Sequence, residues 1–324
     1  MKSTRFVTRI VAAVSAPLLL VGLTSSGALA YDFTRDLHPG DTGQDVRALE
    51  VRIAGWYPQK GQVEFKVDRS FDAATSAALR AFQAAYGLQQ DGIAGPQTFK
   101  VLSSLQDPDG STAHFNFSEF KQNYNSGCSA KANAYANTFK GGMVSPRRAR
   151  MYVRRLMWRL EALRAKAGGK PIGINSGFRS VAYNQCIGGA SSSQHLYGDA
   201  ADNRMTGVAN RYERRLAMRS QFYGVGCYSY TTHNHFDLRL QNRDLPYAQF
   251  WWWPKRDKYG RDLDETGKPC WGEIITARTT TRTAPAVLNQ VAKATAGAGS
   301  LVPSQREIEL FEKAGEPADL GNAD

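Results

Sequence analysis

Beyond its first thirty residues the chain has no apolar run approaching the ~20 residues that span a bilayer, which excludes stable membrane insertion through a later helix. Cysteines are few: Cys128, Cys186, Cys227 and Cys270. No two are spaced closely enough for a four-thiolate zinc site. An even number in an exported chain points to two disulfides, and of the three pairings Cys128–Cys186 with Cys227–Cys270 is the expected one. Acidic residues are in deficit, 29 against 41 Lys and Arg, giving a formal net charge of +12. Such a balance draws a protein toward anionic cell wall, lipid or nucleic acid. No nucleic-acid motif accompanies it. Histidine is scarce as well, with five in 324 residues, so its clustering carries information.

The N-terminus accounts for part of the charge. Lys2, Arg5 and Arg9 precede an apolar run from Ile10 to Leu23, followed by Ala28-Leu29-Ala30. This reads as a signal peptide over residues 1–30, with the mature chain starting at Tyr31. Its removal takes three of the twelve net positive charges and leaves +9. Localisation is then secreted, to a periplasm or an extracellular cell wall.

Residues 35–103 read as a small all-α domain. Val46, Leu49 and Ile53 share one helical face, as do Ala78, Phe82 and Ala85. Val67-Asp68 to Thr75 echoes Gln90-Asp91 to Thr98, each copy opening a turn with Asp and reaching a helix start at Thr. The pattern Leu37-x-x-Gly40-Asp41-x-Gly43-x-Asp45-Val46-x-x-Leu49, then Phe82-Gln83, then Gly87-Leu88-x-x-Asp91-Gly92-x-x-Gly95-Pro96-x-Thr98, resembles the peptidoglycan-binding three-helix module of wall hydrolases. The resemblance implies a docking role on glycan or stem peptide.

Residues 104–116, with Asp107-Pro108-Asp109-Gly110, read as a linker. A second domain follows over 117–274. Its long helix opens at Ser145-Pro146 and ends at Gly168-Gly169. Seven arginines between Arg147 and Arg164 are interleaved with Tyr152, Leu156, Leu160 and Leu163, which reads as an amphipathic helix with a solvated basic face. Residues 275–324 are low in complexity and are expected to be disordered.

The chemistry concentrates in two motifs. In His233-Asn234-His235-Phe236-Asp237-Leu238-Arg239 the polar and apolar residues alternate, as on a strand with one buried face. In Ser193-Gln194-His195-Leu196-Tyr197-Gly198-Asp199-Ala200-Ala201-Asp202, a bend at Gly198 would let His195 and Asp202 converge. Two His and one carboxylate leave a position open, as catalytic zinc requires. Upstream, Arg179 in Ser176-Gly177-Phe178-Arg179-Ser180 could hold a substrate carboxylate or steady an oxyanion. Trp251-Trp252-Trp253 serves either as core or as an aromatic wall for ligand.

Ser-Gly-Phe-Arg-Ser, the Ser193–Asp202 motif, Gly224-Val225-Gly226-x-Tyr228 and His235-Phe236-Asp237-Leu238-Arg239 together resemble the zinc D-alanyl-D-alanine carboxypeptidase family and its wall-endopeptidase relatives. The resemblance implies an α+β domain, a small antiparallel sheet with flanking helices. It implies one zinc ion held by His195, Asp202 and His235, with Ser193 and Arg179 toward substrate. Many relatives place an acidic general base three residues before the last ligand, where this chain has Thr232. His233 and Asp237 are the nearest substitutes, and Asp237 could instead orient His235. The expected protein is a monomeric peptidase acting on peptidoglycan stem peptides. The competing reading is a wall-binding protein that kept the fold but lost efficient catalysis.

Overall fold

The computed structural model describes residues 31–58, 65–120, 127–128, 138–226 and 233–240, and the backbone of 255–256 and 262–263. The signal segment, Thr232, Cys227, Cys270, the three tryptophans at 251–253 and the tail at 275–324 lie outside the described residues.

Three helices build the first unit. Helix α1 (Gln44–Ile53) buries Val46, Leu49 and Ile53 on the face that the periodicity predicts. Helix α2 (Ala73–Ala85) is capped by Asp72, whose carboxylate accepts the Thr75 N–H at 2.8 Å, and it buries Ala78, Leu79 and Phe82. Helix α3 (Pro96–Ser104) starts at a proline, whose missing N–H costs nothing in a first turn. The repeated Asp turns are present in both copies: Asp68 accepts from the Ser70 N–H and Asp91 from the Ile93 N–H. Buried Gln83 donates to Asp91 and to the Ile93 carbonyl and accepts the Gly92 N–H, which ties the second turn to α2.

The second unit is α+β. Helix α4 (Pro146–Lys166) is capped by Ser145 and stops where Gly168 and Gly169 take positive φ. Strands β1 (Ile172–Ser176), β2 (Ala200–Met205), β3 (Gly224–Val225) and β4 (Asn234–Asp237) form an antiparallel sheet in the order β1-β2-β4-β3. Helix α5 (Val181–Cys186) follows β1, and α6 (Asn210–Met218) follows β2. Two short strands, β5 (Lys255–Arg256) and β6 (Asp262–Leu263), pair separately. Helix α4 packs Val153, Leu156, Met157, Leu160 and Leu163 into one core with Phe178, Ala201, Leu216 and Phe236.

The two units are joined by packing. Trp158 and Ala162 of α4 are buried in the core of the first unit, beside Ile53, Ala54 and Trp56. Lys166 donates to the Gly55 carbonyl at 2.6 Å. The 104–116 stretch is folded rather than extended. Gln106 bridges to Thr112, Thr112 bridges to Phe115, and Phe115 is buried in the core of the second unit. The expectation of a solvated basic face on α4 needs correction: Arg155 and Arg159 are 5% and 2% exposed, because this helix has neighbours on more than one side. Trp158→Ala should therefore destabilise the protein by about 3–5 kcal/mol, the range for a buried aromatic truncated to a methyl. Guanidinium unfolding followed by tryptophan-independent circular dichroism would measure it.

Candidate metal centre

Sheet register brings the site together. Ser176 of β1 is opposite Asp202 of β2, and Asp202 is opposite His235 of β4. Directly opposed residues in antiparallel strands have Cβ atoms about 4.5–5.5 Å apart. A hydroxyl, a carboxylate and an imidazole thus form a row across three strands. His195 arrives from a single 3-10 turn, Gln194–Leu196, that precedes β2. Gly198 makes the return with φ of 86°, and a Cβ there would sit 2.9 Å from the Ala149 carbonyl oxygen.

The three side chains meet at one point. His195 Nε2 and His235 Nδ1 lie 3.3 Å and 2.8 Å from Asp202 Oδ1. One ligand atom from each residue falls within 4.8 Å of the others. The opposite nitrogens are both occupied. His195 Nδ1 is 2.6 Å from the Gly177 carbonyl oxygen, and His235 Nε2 is 3.3 Å from Asp237 Oδ2. With a cation at the site, both acceptors would keep a ring proton on the outer nitrogen and leave the inner nitrogen's lone pair for the ion; without one, His235 Nδ1 donates to Asp202. Two imidazoles and a carboxylate, held from behind by a carbonyl and a second carboxylate, are a donor set that fits a divalent zinc ion, with His235 giving up a proton as the ion binds.

Burial and then the Arg179 charge push the His195 imidazole down to about 4, which keeps it neutral and able to donate its lone pair. Burial acts to raise Asp202, but the two imidazoles outweigh it and hold the carboxyl well below the usual range. Burial acts to lower His235, yet its hydrogen bonds to Asp202 and Asp237 outweigh it and push the ring up to about 9. The centre is therefore built to attract positive charge.

Asp237 is fully buried and shared between His235 and Arg239, whose Nε lies 3.2 Å from Oδ1. It is opposite Gly224 of β3, and a Cβ built on Gly224 would fall 1.9 Å from Asp237 Oδ2. Only a glycine leaves room for that carboxylate. Burial alternates as expected from 233 to 240 except at buried Asp237, where the strand ends, since Arg239 takes φ of 44° and turns back toward the carboxylate. Arg179 donates through Nε and Nη2 to the Ser176 hydroxyl, and through Nη2 to Asp202 Oδ2 at 2.7 Å. Ser193 is half-buried at the head of the His195 turn, and His233 is half-buried just before β4. Neither belongs to the three-atom cluster.

Sequence reading assigned no role to Ser176, to the Gly177 carbonyl or to Gly224, although all three lie inside the motifs given above. It also passed over Glu213. This buried side chain accepts from Asn234 Nδ2 at 2.6 Å, and Asn234 Oδ1 accepts from Arg214 Nη1 at 3.0 Å, which fastens α6 to the strand carrying His235. Burial raises the Glu213 carboxyl to about 7. Its unfolded pKa is near 4.5, so between about 4.5 and 7 the unfolded chain has released a proton that the folded one keeps. Stability from this group is complete below that window and is lost as pH rises through it. The melting temperature should fall from pH 5 to 7.5, and Glu213→Gln should flatten that slope.

The Cys128–Cys186 disulfide is present, with a Cα–Cα distance of 5.8 Å, and anchors the end of α5. The second expected pair falls outside the described residues. No helix among the described residues is long and apolar enough to cross a membrane.

Residues 115–237 match the peptidase M15 family, and residues 42–102 match a peptidoglycan binding domain family. A zinc D-Ala-D-Ala carboxypeptidase from Streptomyces albus G is 42% identical over 195 residues, which are 59% of this chain and 71% of that one. A crystal structure of Burkholderia AP3 phage endolysin shares 22% identity over 43% of each chain, with a TM-score of 0.19 that gives the likeness no weight. A peptidase domain with its donor atoms converged, preceded by a wall-binding domain and closely similar to a zinc enzyme, places this chain plainly: it belongs to the M15 peptidase family.

Proposed function

We propose that the chain is a secreted zinc-dependent peptidase that hydrolyses peptidoglycan stem peptides, as a D-Ala-D-Ala carboxypeptidase or as an endopeptidase on a related bond. The observation that carries this reading is the convergence of His195 Nε2, His235 Nδ1 and Asp202 Oδ1 on one point, with both outer imidazole nitrogens held by acceptors. These three residues would hold one zinc ion. Bound zinc lowers the pKa of its water to ~7 and polarises a scissile carbonyl.

The remaining residues take the following parts. The Gly177 carbonyl and Asp237 fix the two imidazoles. Arg179 is steadied by Ser176 and Asp202, and its Nη1 makes no hydrogen bond among the described residues. That edge is placed to take the substrate's carboxylate or a developing oxyanion. Ser193 lines the substrate side. His233 handles the proton, because Thr232 has no basicity at neutral pH and Asp237 is already engaged with His235 and Arg239. Residues 35–103 dock the enzyme on the wall and 117–274 cut it. The protein acts as a monomer.

Metal analysis of the purified protein should return about one zinc per chain. Mass spectrometry of digested wall fragments then reads the bond cut, as loss of one terminal D-Ala or as scission within a stem or cross-link. His233→Gln should lower kcat by roughly 10²–10⁴-fold, the usual worth of a positioned acid–base group, without changing zinc content. Wall fragments left intact by zinc-loaded protein would overturn the catalytic reading in favour of a binding protein.

A further inference from the structure

The arginines of α4 have no task in the peptidase reading. Arg147, Arg148, Arg150 and Arg154 line a cavity of about 450 Å³ together with Arg47 of α1, so the two units share it. Among the described residues, no acidic side chain lines the cavity. Among the described residues the Asp109 carboxylate, 53% exposed, lies 3.9 Å from Arg150. The Arg150 guanidinium carbon lies 3.6 Å from the Phe117 ring centroid, a cation–π contact at the cavity wall. Burial lowers Arg154, and the neighbouring Arg150 and Arg47 charges lower it further. Five arginines lining one cavity where the two units meet set up a positive potential that draws anions.

We propose that this cavity binds a phosphate-bearing polyanion, the phosphodiester strand of a wall polymer, held jointly by α1 and α4. The site goes beyond the peptidase reading and shares no residue with the metal centre. Several features select phosphate. Guanidinium forks pair with phosphate oxygens in two-point contacts. A tetrahedral phosphate aims its oxygens out of one plane, so arginines from two helices reach it from different sides, whereas a planar carboxylate offers one edge. Arg147, Arg150 and Arg154 recur three and four residues apart, about one helical turn of 5.4 Å, which suits a repeating anion rather than a single one. The first turn of α4 adds the positive end of its dipole.

The test is anisotropy with labelled linear polyphosphate against poly-L-glutamate of matched length, using the zinc-loaded full chain over a salt series. Polyphosphate should bind the more tightly. Arg150→Gln with Arg154→Gln should weaken it roughly tenfold or more and reduce the log–log salt slope by about two, one for each phosphate left without its arginine. Arg147→Gln with Arg148→Gln, at exposed positions, should act in the same direction without disturbing packing. Arg204→Gln with Arg211→Gln removes the same charge outside the cavity and should leave binding nearly intact. Hydrolysis of a soluble peptide should be unchanged in all three, which separates this site from catalysis. Equal losses in cavity and control variants, equal affinity for polyglutamate, or no polyphosphate binding at about 0.15 M salt would each overturn the proposal.

Discussion

Replacing His235 by alanine is expected to leave a folded protein that retains almost no zinc and releases almost nothing from wall fragments. The reason is geometric. His235 and His195 both approach Asp202 Oδ1, and Asp202 is directly opposite His235 in the sheet. Without that imidazole two protein donors would remain to hold zinc, below the three that a catalytic zinc needs. Activity should drop by about a thousandfold or more, because the several kcal/mol of charge stabilisation a metal supplies convert at roughly tenfold per 1.4 kcal/mol. The fold should survive. The strand is held by its backbone pairing to β2 and β3 and by the Asn234 contacts to α6, none of which involves the imidazole. The measurements are zinc by elemental analysis, release of D-Ala or cleaved stems by mass spectrometry, and circular dichroism for the fold. A variant that kept full zinc and full turnover would mean that the chemistry lies elsewhere. Chelation of the wild type should reproduce the loss, and added zinc should reverse it only where His235 is present.

Asp237→Asn is expected to weaken zinc binding by about 10–100-fold, the usual worth of a group that orients a metal-bound histidine. Asp237 is buried, touches His235 Nε2, and is braced by Arg239. Asparagine keeps one acceptor oxygen but loses the negative charge that fixes the ring proton on Nε2. The same variant decides between two roles for this residue. An orienting carboxylate is rescued by saturating zinc, which restores kcat. A proton-transferring carboxylate is not rescued, and kcat stays low with the metal site full. Gly224→Ala should resemble the orienting case. Its new methyl would enter the space of the Asp237 carboxylate, displacing it from His235 without altering any ligand. Competition with a fluorescent chelator measures the affinity, and turnover at several zinc concentrations separates the two roles.

Much of this protein is legible in its sequence. The helices of the first unit come from local information: an Asp at the start of α2, a Pro at the start of α3, and apolar residues three and four apart. The alternation around His235 is likewise local, and it marks the strand over Asn234–Asp237. The spacing of the motifs let His195 and Asp202 converge, and the family resemblance picked His235 from the strand as the third residue. The positive φ of Arg239 was not legible, because nothing in an alternating pattern says where a strand ends. The depth of Arg155 and Arg159 was hidden for a similar reason. Periodicity shows that a helix has a buried face, but not that a second unit covers part of the rest.

The sequence alone marked His195, Asp202 and His235 as candidates, since histidine is rare here and residue type sets what an atom can ligate. It also determined the two-part organisation, because composition and short-range pattern are properties of the chain itself. Tertiary structure alone decided how those side chains are held and what surrounds them. The facing of Asp202 and His235, the Gly177 carbonyl behind His195, the space that Gly224 leaves for Asp237, and the meeting of Arg47 with the α4 arginines all join residues far apart in the chain. Such pairings depend on strand register and helix docking, which are settled by burial summed over whole elements rather than by any local run of residues.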